Sequence, residues 1–200
     1  FENVKLVIVV SALGKTTNAL EEIVNSWYYN KGDSKTLLDN LKNIHVDIIR
    51  SLIVKREELL SEINDFIVEI EWIIEETPQE SYDYYYDQIV SMGEMFSSKI
   101  LATYLSELGF SVEWLDARDV IHTDNTYRDA RIIWDVTQKK TAQKIHPFLE
   151  NNKIVVTQGF IGCSSENFTT TLGREGSDYS AAILSYCLDA QSMHIWKDVP

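Results

Sequence analysis

Val4-Lys5-Leu6-Val7-Ile8-Val9-Val10-Ser11-Ala12-Leu13-Gly14-Lys15-Thr16-Thr17-Asn18 is the stretch that decides the fold. The run from Val4 to Val10 is largely β-branched and reads as a strand buried on both faces, the pattern of a parallel sheet. Ser-Ala-Leu-Gly then turns the chain. Thr16 or Thr17 opens a helix through about Tyr29, and Gly32 with Asp33 breaks it. A strand that passes through a hydroxyl-rich turn into a helix places free backbone N–H groups and side-chain hydroxyls at one spot. Such a turn suits a carboxylate or a phosphate. Gly14-Lys15-Thr16 is not a nucleotide P-loop, because that motif requires glycine five residues before Gly14, and Val9 stands there inside the strand. The plainer reading of Thr16 or Thr17 is an ordinary helix N-cap.

Downstream, the same alternation of element types continues. From Thr36 to Glu76 the apolar positions recur at threes and fours, which predicts a helical hairpin ended by Pro78, although no turn signal marks its middle. Tyr84 to Leu108 reads as one further helix, stopped at Gly109. Ser111–Leu115 reads as a strand, Arg128–Glu150 as mostly helix and Lys153–Thr157 as a strand. Ser177–Asp189 reads as a helix, and His194–Trp196 as the start of a last strand. Long helices between short buried strands imply an α/β fold with a mostly parallel sheet covered on both faces. Ligands of such folds collect where strand ends lead into helix starts, here after Val10 and after Thr157.

The composition supports a globular chain: 44% of its 200 residues are hydrophobic and 24% charged, enough to build a core and unlike disorder. The longest apolar stretch, Leu6–Val10, is far too short to span a bilayer, and its flanks lack the basic region of a signal peptide. A net charge of −13 argues against nucleic acid. That charge is local, because Glu57–Asp87 carries acids and no Lys or Arg, as a solvated helix face would. Cys163 and Cys187 have neither metal-ligand nor disulfide-framework spacing, which fits a reducing, cytoplasmic setting. The chain begins with Phe and is expected to be a piece of a longer protein.

The second candidate loop runs from Gly159 to Asp178 and is long for a compact α/β protein. Arg174 lies between Gly173 and Gly176, ahead of a helix expected to be capped by Ser177. Its guanidinium matches the two oxygens of a carboxylate, and the helix start adds positive potential. The alternative is a surface arginine in a flexible loop, with Asp178 merely satisfying the first turn. Glu94, in Ser91-Met92-Gly93-Glu94, sits where the helix looks buried, so its carboxylate calls for a cationic partner. As a helix-start acid it also has a plainer reading. His45, His122, His146 and His194 form no metal-ligand pair, no Ser–His–Asp arrangement emerges, and nothing marks Cys163 as an activated thiol.

These segments, in order, resemble the aspartate kinase family. The resemblance is carried by Val9-Val10-Ser11-Ala12, Gly14-Lys15-Thr16-Thr17-Asn18, Ser91-Met92-Gly93-Glu94, Asp116-Ala117-Arg118 and Gly159-Phe160-Ile161-Gly162. It continues through Thr170-Thr171-Leu172-Gly173-Arg174-Glu175-Gly176-Ser177-Asp178-Tyr179 and Trp196-Lys197-Asp198-Val199, so it spans the chain. The Gly-Lys-Thr-Thr-Asn form is closer to monofunctional, lysine-pathway members than to those fused to homoserine dehydrogenase. The resemblance implies an amino-acid-kinase fold, a three-layer α/β/α sandwich truncated here at both ends. Residues 1–200 would be a partial catalytic domain, the aspartate lobe plus the beginning of the nucleotide lobe. The implied activity is transfer of the γ-phosphate of Mg-ATP to the β-carboxylate of L-aspartate, with ATP and Mg²⁺ as cofactors and no resident protein-held metal. By motif position Arg174 would grip the α-carboxylate and Glu94 the ammonium. Ser11, Thr17 and Ser177 would contact substrate, Asp178 would hold a catalytic lysine, and Lys197 and Asp198 would open the nucleotide site.

Three departures qualify that reading. The family's opening Lys-Phe-Gly-Gly-Thr-Ser segment, whose lysine contacts the transferred phosphate, is absent, which should leave a slot in the sheet. The nucleotide-lining stretch expected after Pro200 and the regulatory modules are also absent, so the piece alone is expected to be inactive, whereas the full protein would be a homodimer. Glu175 stands where many relatives have glycine. Competing readings are another amino-acid kinase acting on glutamate or a nucleotide monophosphate, and a non-catalytic amino-acid-binding module.

Overall fold

A computed structural model describes residues 4–197. Its centre is a parallel sheet in the order β1-β3-β2, formed by β1 (Val7–Val10), β3 (Ile154–Gln158) and β2 (Val112–Leu115). Val7 pairs with Val155 and Val10 with Gln158, so the ends of β1 and β3 lie side by side. Five helices cover one face: α1 (Thr16–Tyr28), α2 (Ser34–Leu52), α3 (Glu57–Glu75), α4 (Tyr82–Val90) and α5 (Met92–Glu107). Their apolar stripes meet in one core with Leu20, Ile49, Ile63, Ile70, Met95 and Phe96 fully buried. On the other face α6 (Trp134–Glu150) and α7 (Gly176–Cys187) pack a second core around Ile145, Val155 and Ile183. Helices on both faces of a parallel sheet make the three-layer α/β/α arrangement. Among the described residues no helix is long and apolar enough to cross a membrane.

Several elements differ from expectation. The first strand is confined to Val7–Val10, the part that finds β3 as partner. Tyr84–Leu108 is not one helix but two, divided at Ser91, whose hydroxyl bonds the carbonyl of Gln88 at 3.3 Å. The segment from Arg128 becomes helical only at Trp134. Ahead of it, Arg131 and Asp124 exchange hydrogen bonds that hold a turn. The loop after β3 contains an antiparallel hairpin, β4 (Ile161–Cys163) with β5 (Thr169–Thr171). His194–Trp196 forms no strand.

The hidden turn of the helical hairpin lies at Ile53–Arg56. It is fastened from a distance, since the Glu107 carboxylate accepts from the Val54 N–H at 2.9 Å and the Lys55 N–H at 2.6 Å. The acids from Glu57 to Glu75 lie on the outer side of α3, whose inward stripe is Leu59, Ile63, Ile67, Ile70 and Ile74, whereas Asp87, the last acid of the stretch, is fully buried in α4.

Candidate active site

At the carboxyl ends of β1 and β3 a cavity of about 520 Å³ opens. Its wall carries Ser11 and Thr17 from the first turn, Glu94 from α5, Arg174, Ser177 and Asp178 from the start of α7, and Lys197 at the rim. Turns more than a hundred residues apart in sequence therefore converge, and every candidate residue reaches one cavity except Asp198, which lies outside the described residues.

Two close approaches make this convergence possible. A Cβ on Gly93 would lie 3.0 Å from the Ala12 Cβ and 3.2 Å from Leu20 and Thr16 side-chain atoms, so a side chain there would push α5 off the first turn. A Cβ on Gly159 would lie 2.7 Å from the Ser177 Cα, so the end of β3 can touch α7 only because nothing projects.

The first turn divides its two threonines. Thr16 is buried and meets His45 Nε2 at 3.4 Å, leaving Thr17 for the cavity. Neither threonine is the N-cap; Lys15 holds that position without a side-chain bond, since an ammonium has no acceptor to offer the first-turn N–H groups. His45 is a scaffold residue, fully buried, with Nδ1 at 2.9 Å from the Leu41 carbonyl oxygen.

Glu94 is the most unusual group in the molecule. It is 3% exposed. The Ala12 N–H donates to Oε1 at 3.2 Å, and Oε2 is buried with no partner. Burial pushes its pKa up to about 8, against the opposing pull of the Ala12 N–H. The expected cationic partner is not supplied by the protein, for among the described residues no Lys, Arg or His forms a salt bridge to Glu94. The acid is held at one oxygen, and its other oxygen has no protein partner.

Across the cavity, Arg174 is exposed and likewise makes no salt bridge among the described residues. Asp178, in the first turn of α7, holds Lys197 Nζ at 2.6 Å, and Glu175 approaches the same ammonium at 3.8 Å. The lysine paired with Asp178 here is thus Lys197. Ser177 is not the helix cap. It is the second residue of α7, packed on Gly159, and Glu175 precedes the helix with φ 57° and no side-chain cap. That left-handed conformation favours glycine, a backbone reason for the glycine common at this position in the family pattern.

Sequence reasoning missed Arg128 and Tyr86, which also line the cavity. Arg128 lies 4.3 Å from the Tyr86 ring centroid and pairs with Asp83 at 3.2 Å. The tyrosine run at 82–86 was the available signal, but nothing local ties it to Arg128. Cys163 is buried and its thiol is pushed up by burial, the reverse of activation. Among the described residues no cluster of three or more His, Cys, Asp or Glu could hold a metal ion.

At the carboxyl edge of a three-layer α/β/α fold, one cavity thus has on its wall a buried acid and an arginine, neither of them in a salt bridge among the described residues. The sequence profile of the Amino acid kinase family matches residues 2–200, and the chain belongs to that family. It is 32% identical over 198 residues to the lysine-sensitive aspartokinase 3 of Escherichia coli (strain K12), covering 99% of this chain and 43% of that protein. It is 29% identical to the aspartokinase of Chlamydia trachomatis, covering 96% of this chain and 42% of that one. The fold superposes on E. coli aspartokinase III in complex with aspartate and ADP with a TM-score of 0.89, over 98% of this chain and 43% of that one. The chain thus spans less than half the length of the relatives it matches.

Proposed function

We propose that the chain carries the aspartate-binding lobe, and the beginning of the nucleotide lobe, of an aspartate kinase that forms 4-phospho-L-aspartate from L-aspartate and ATP. The observation that carries this reading is the pair of unsatisfied groups in one cavity, Glu94 and Arg174. Their charges are the complement of an α-amino acid's ammonium and carboxylate. Relatives with aspartokinase names, and a structural neighbour described as a complex with aspartate and ADP, support the choice of aspartate over glutamate or a nucleotide monophosphate.

The chemistry suits this site. The nucleophile is the β-carboxylate, ionised at neutral pH, so no general base is required. The protein's task is to align two anions and offset their repulsion. Arg174 takes the α-carboxylate, Glu94 the ammonium, and the hydroxyls of Ser11, Thr17 and Ser177 donate to the remaining oxygens. Asp178 keeps Lys197 oriented at the rim where the nucleotide phosphates would enter, and Asp198 would extend that rim. Mg²⁺ would arrive on the phosphates of ATP. In this reading the full-length protein works in the cytoplasm as a homodimer.

The test is a coupled assay of ATP consumption on the full-length protein with aspartate or glutamate as acceptor. Aspartate-dependent turnover that collapses in Glu94→Gln is the expected result. Turnover with glutamate equal to that with aspartate, or aspartate binding without any phosphorylation, overturns the reading.

A further inference from the structure

The strand that leads to Arg174 has a strand partner on one side only. β5 pairs with β4, and its other edge would leave backbone groups of Thr169 and Thr171 bare. Two consecutive side chains of α4 occupy that edge. Gln88 behaves like a strand residue, accepting from the Thr169 N–H at 3.2 Å and donating to the Thr169 carbonyl at 2.8 Å. Asp87 accepts from the Thr171 N–H at 2.8 Å and from the Thr171 hydroxyl at 2.6 Å. The same carboxylate accepts from the Arg128 N–H at 3.0 and 3.2 Å, fixing a residue whose φ of 67° is left-handed. Asp87 is fully buried, yet none of these partners is its sequence neighbour.

The connectivity gives these bonds their meaning. Asp87 and Gln88 lie in the last turn of α4, which leads through Ser91 into α5 and Glu94, while Thr171 passes through Leu172 and Gly173 directly into Arg174. The two poles of the cavity therefore hang from a single side-chain clasp. We propose that Asp87, assisted by Gln88, is the positioning residue that sets the spacing between Glu94 and Arg174, and with it the grip on the substrate's amino-acid end. This inference rests on the zwitterion site described under Proposed function. Asp87 itself does not line the cavity and acts through Thr171 and Arg128. An unmet hydrogen bond at a buried clasp leaves a donor stranded, and the adjoining strand must move to rescue it.

The experiment compares Asp87→Asn and Gln88→Leu with Ile89→Val in the full-length protein. Ile89 is a fully buried neighbour on α4, and its substitution reproduces a modest packing loss without touching the clasp. Asp87→Asn keeps the shape but turns one acceptor into a donor facing N–H groups. The expected result is an aspartate KM raised at least about tenfold, with the ATP KM within about twofold of wild type. Ile89→Val should leave both constants in place. If Asp87→Asn does not fold, Gln88→Leu, which retains the carboxylate, carries the same KM split at a smaller amplitude.

An unmoved aspartate KM in both variants, or aspartate and ATP constants rising together, overturns the inference. If Arg174→Ala destroys aspartate binding while the clasp variants do not, the positioning role falls and the proposed function stands. If the wild-type protein does not use aspartate at all, the proposed function falls. Hydrogen exchange at the Thr169 and Thr171 amides then reads the clasp alone, faster exchange in Asp87→Asn supporting it and unchanged exchange refuting it.

Discussion

If Glu94 receives the substrate's ammonium, aspartate binding must depend on pH in a way set by this one carboxyl. Its pKa stands at about 8 because burial penalises the charge and a single backbone N–H only partly offsets that penalty. Below pH 8 the empty site is protonated, but an ammonium needs the carboxylate. Binding must then expel a proton, and the apparent affinity should fall about tenfold for each unit below 8. At pH 6 roughly one site in a hundred is ionised, so binding should be about 100-fold weaker than at pH 8.5, about 2.7 kcal/mol at 1.36 kcal/mol per unit. Calorimetry of aspartate binding to the full-length protein, in buffers of different ionisation enthalpy, reads both quantities. At pH 6 it should report close to one proton released per aspartate bound, and none at pH 9. An affinity that is flat from pH 6 to 8, with no buffer dependence, would refute the ammonium role. Stability carries the same signature with a defined sign. Because the folded pKa lies above the ordinary 4.5, the proton's stabilising contribution is full below 4.5 and is lost as pH climbs to about 8, a loss on the order of 3 to 6 kcal/mol. Glu94→Gln, which resembles the protonated acid, should remove that decline.

Other expectations are independent of this one. Arg174→Ala should cost about 2–5 kcal/mol of substrate interaction, read as a rise in aspartate KM; unchanged kinetic constants would contradict its role. Gly159→Ala places a methyl against the Ser177 backbone and should destabilise by about 1–3 kcal/mol in thermal unfolding. His45 is depressed below 6.5 by burial, so its contribution is present above pH 6.5 and is lost as pH falls below that value. Replacing it with Gln should flatten the acid limb of a Tm-versus-pH curve, and a limb of unchanged steepness would assign the loss to other groups.

The parts of the fold that were legible in sequence are those fixed by local pattern. The β-branched strand at Val7–Val10, the threes-and-fours of α2 and α3, and the stop at Gly109 all follow from neighbours within a few residues, although the strand is half-buried and not buried on both faces, being at the edge of the described sheet. The features that were not legible depend on partners far away in the chain. The α2–α3 turn lacks Gly or Pro because the Glu107 carboxylate satisfies its N–H groups. The break at Ser91 arises where α5 must press Gly93 against Ala12 and Leu20, a demand that 3.6-residue periodicity does not register. The β4–β5 hairpin is short and rich in threonine and serine, so it read as loop until α4 supplied its edge. The site followed the same division. Glu94 and Arg174 stood in recognisable motifs, whereas Arg128 is placed at the cavity by Asp83, Tyr86 and Asp87, all more than forty residues away in sequence.

The charges of the cavity suggest why an enzyme would keep an acid neutral at rest. Lys197 is neutralised by Asp178 and Glu175, and Arg128 by Asp83, so Arg174 is the cation left without a counterion among the described residues. With Glu94 protonated these charges cancel, but the Arg174 guanidinium is in no salt bridge among the described residues and is the group that would meet a carboxylate first. If Glu94 receives the ammonium, ionising it becomes favourable only on that arrival, since an opposite charge at contact offsets the burial that had held the proton. A ligand with the carboxylate but no ammonium gains Arg174 and leaves Glu94 protonated, so its binding should release no proton and should not weaken as pH falls from 8 to 6. Succinate, which is aspartate without its amino group, separates the two steps. Its affinity at pH 8.5 should fall well below that of aspartate, and at pH 6 the gap should narrow by about two orders of magnitude. A gap that stays constant across that range would mean the acid and the arginine do not share the substrate.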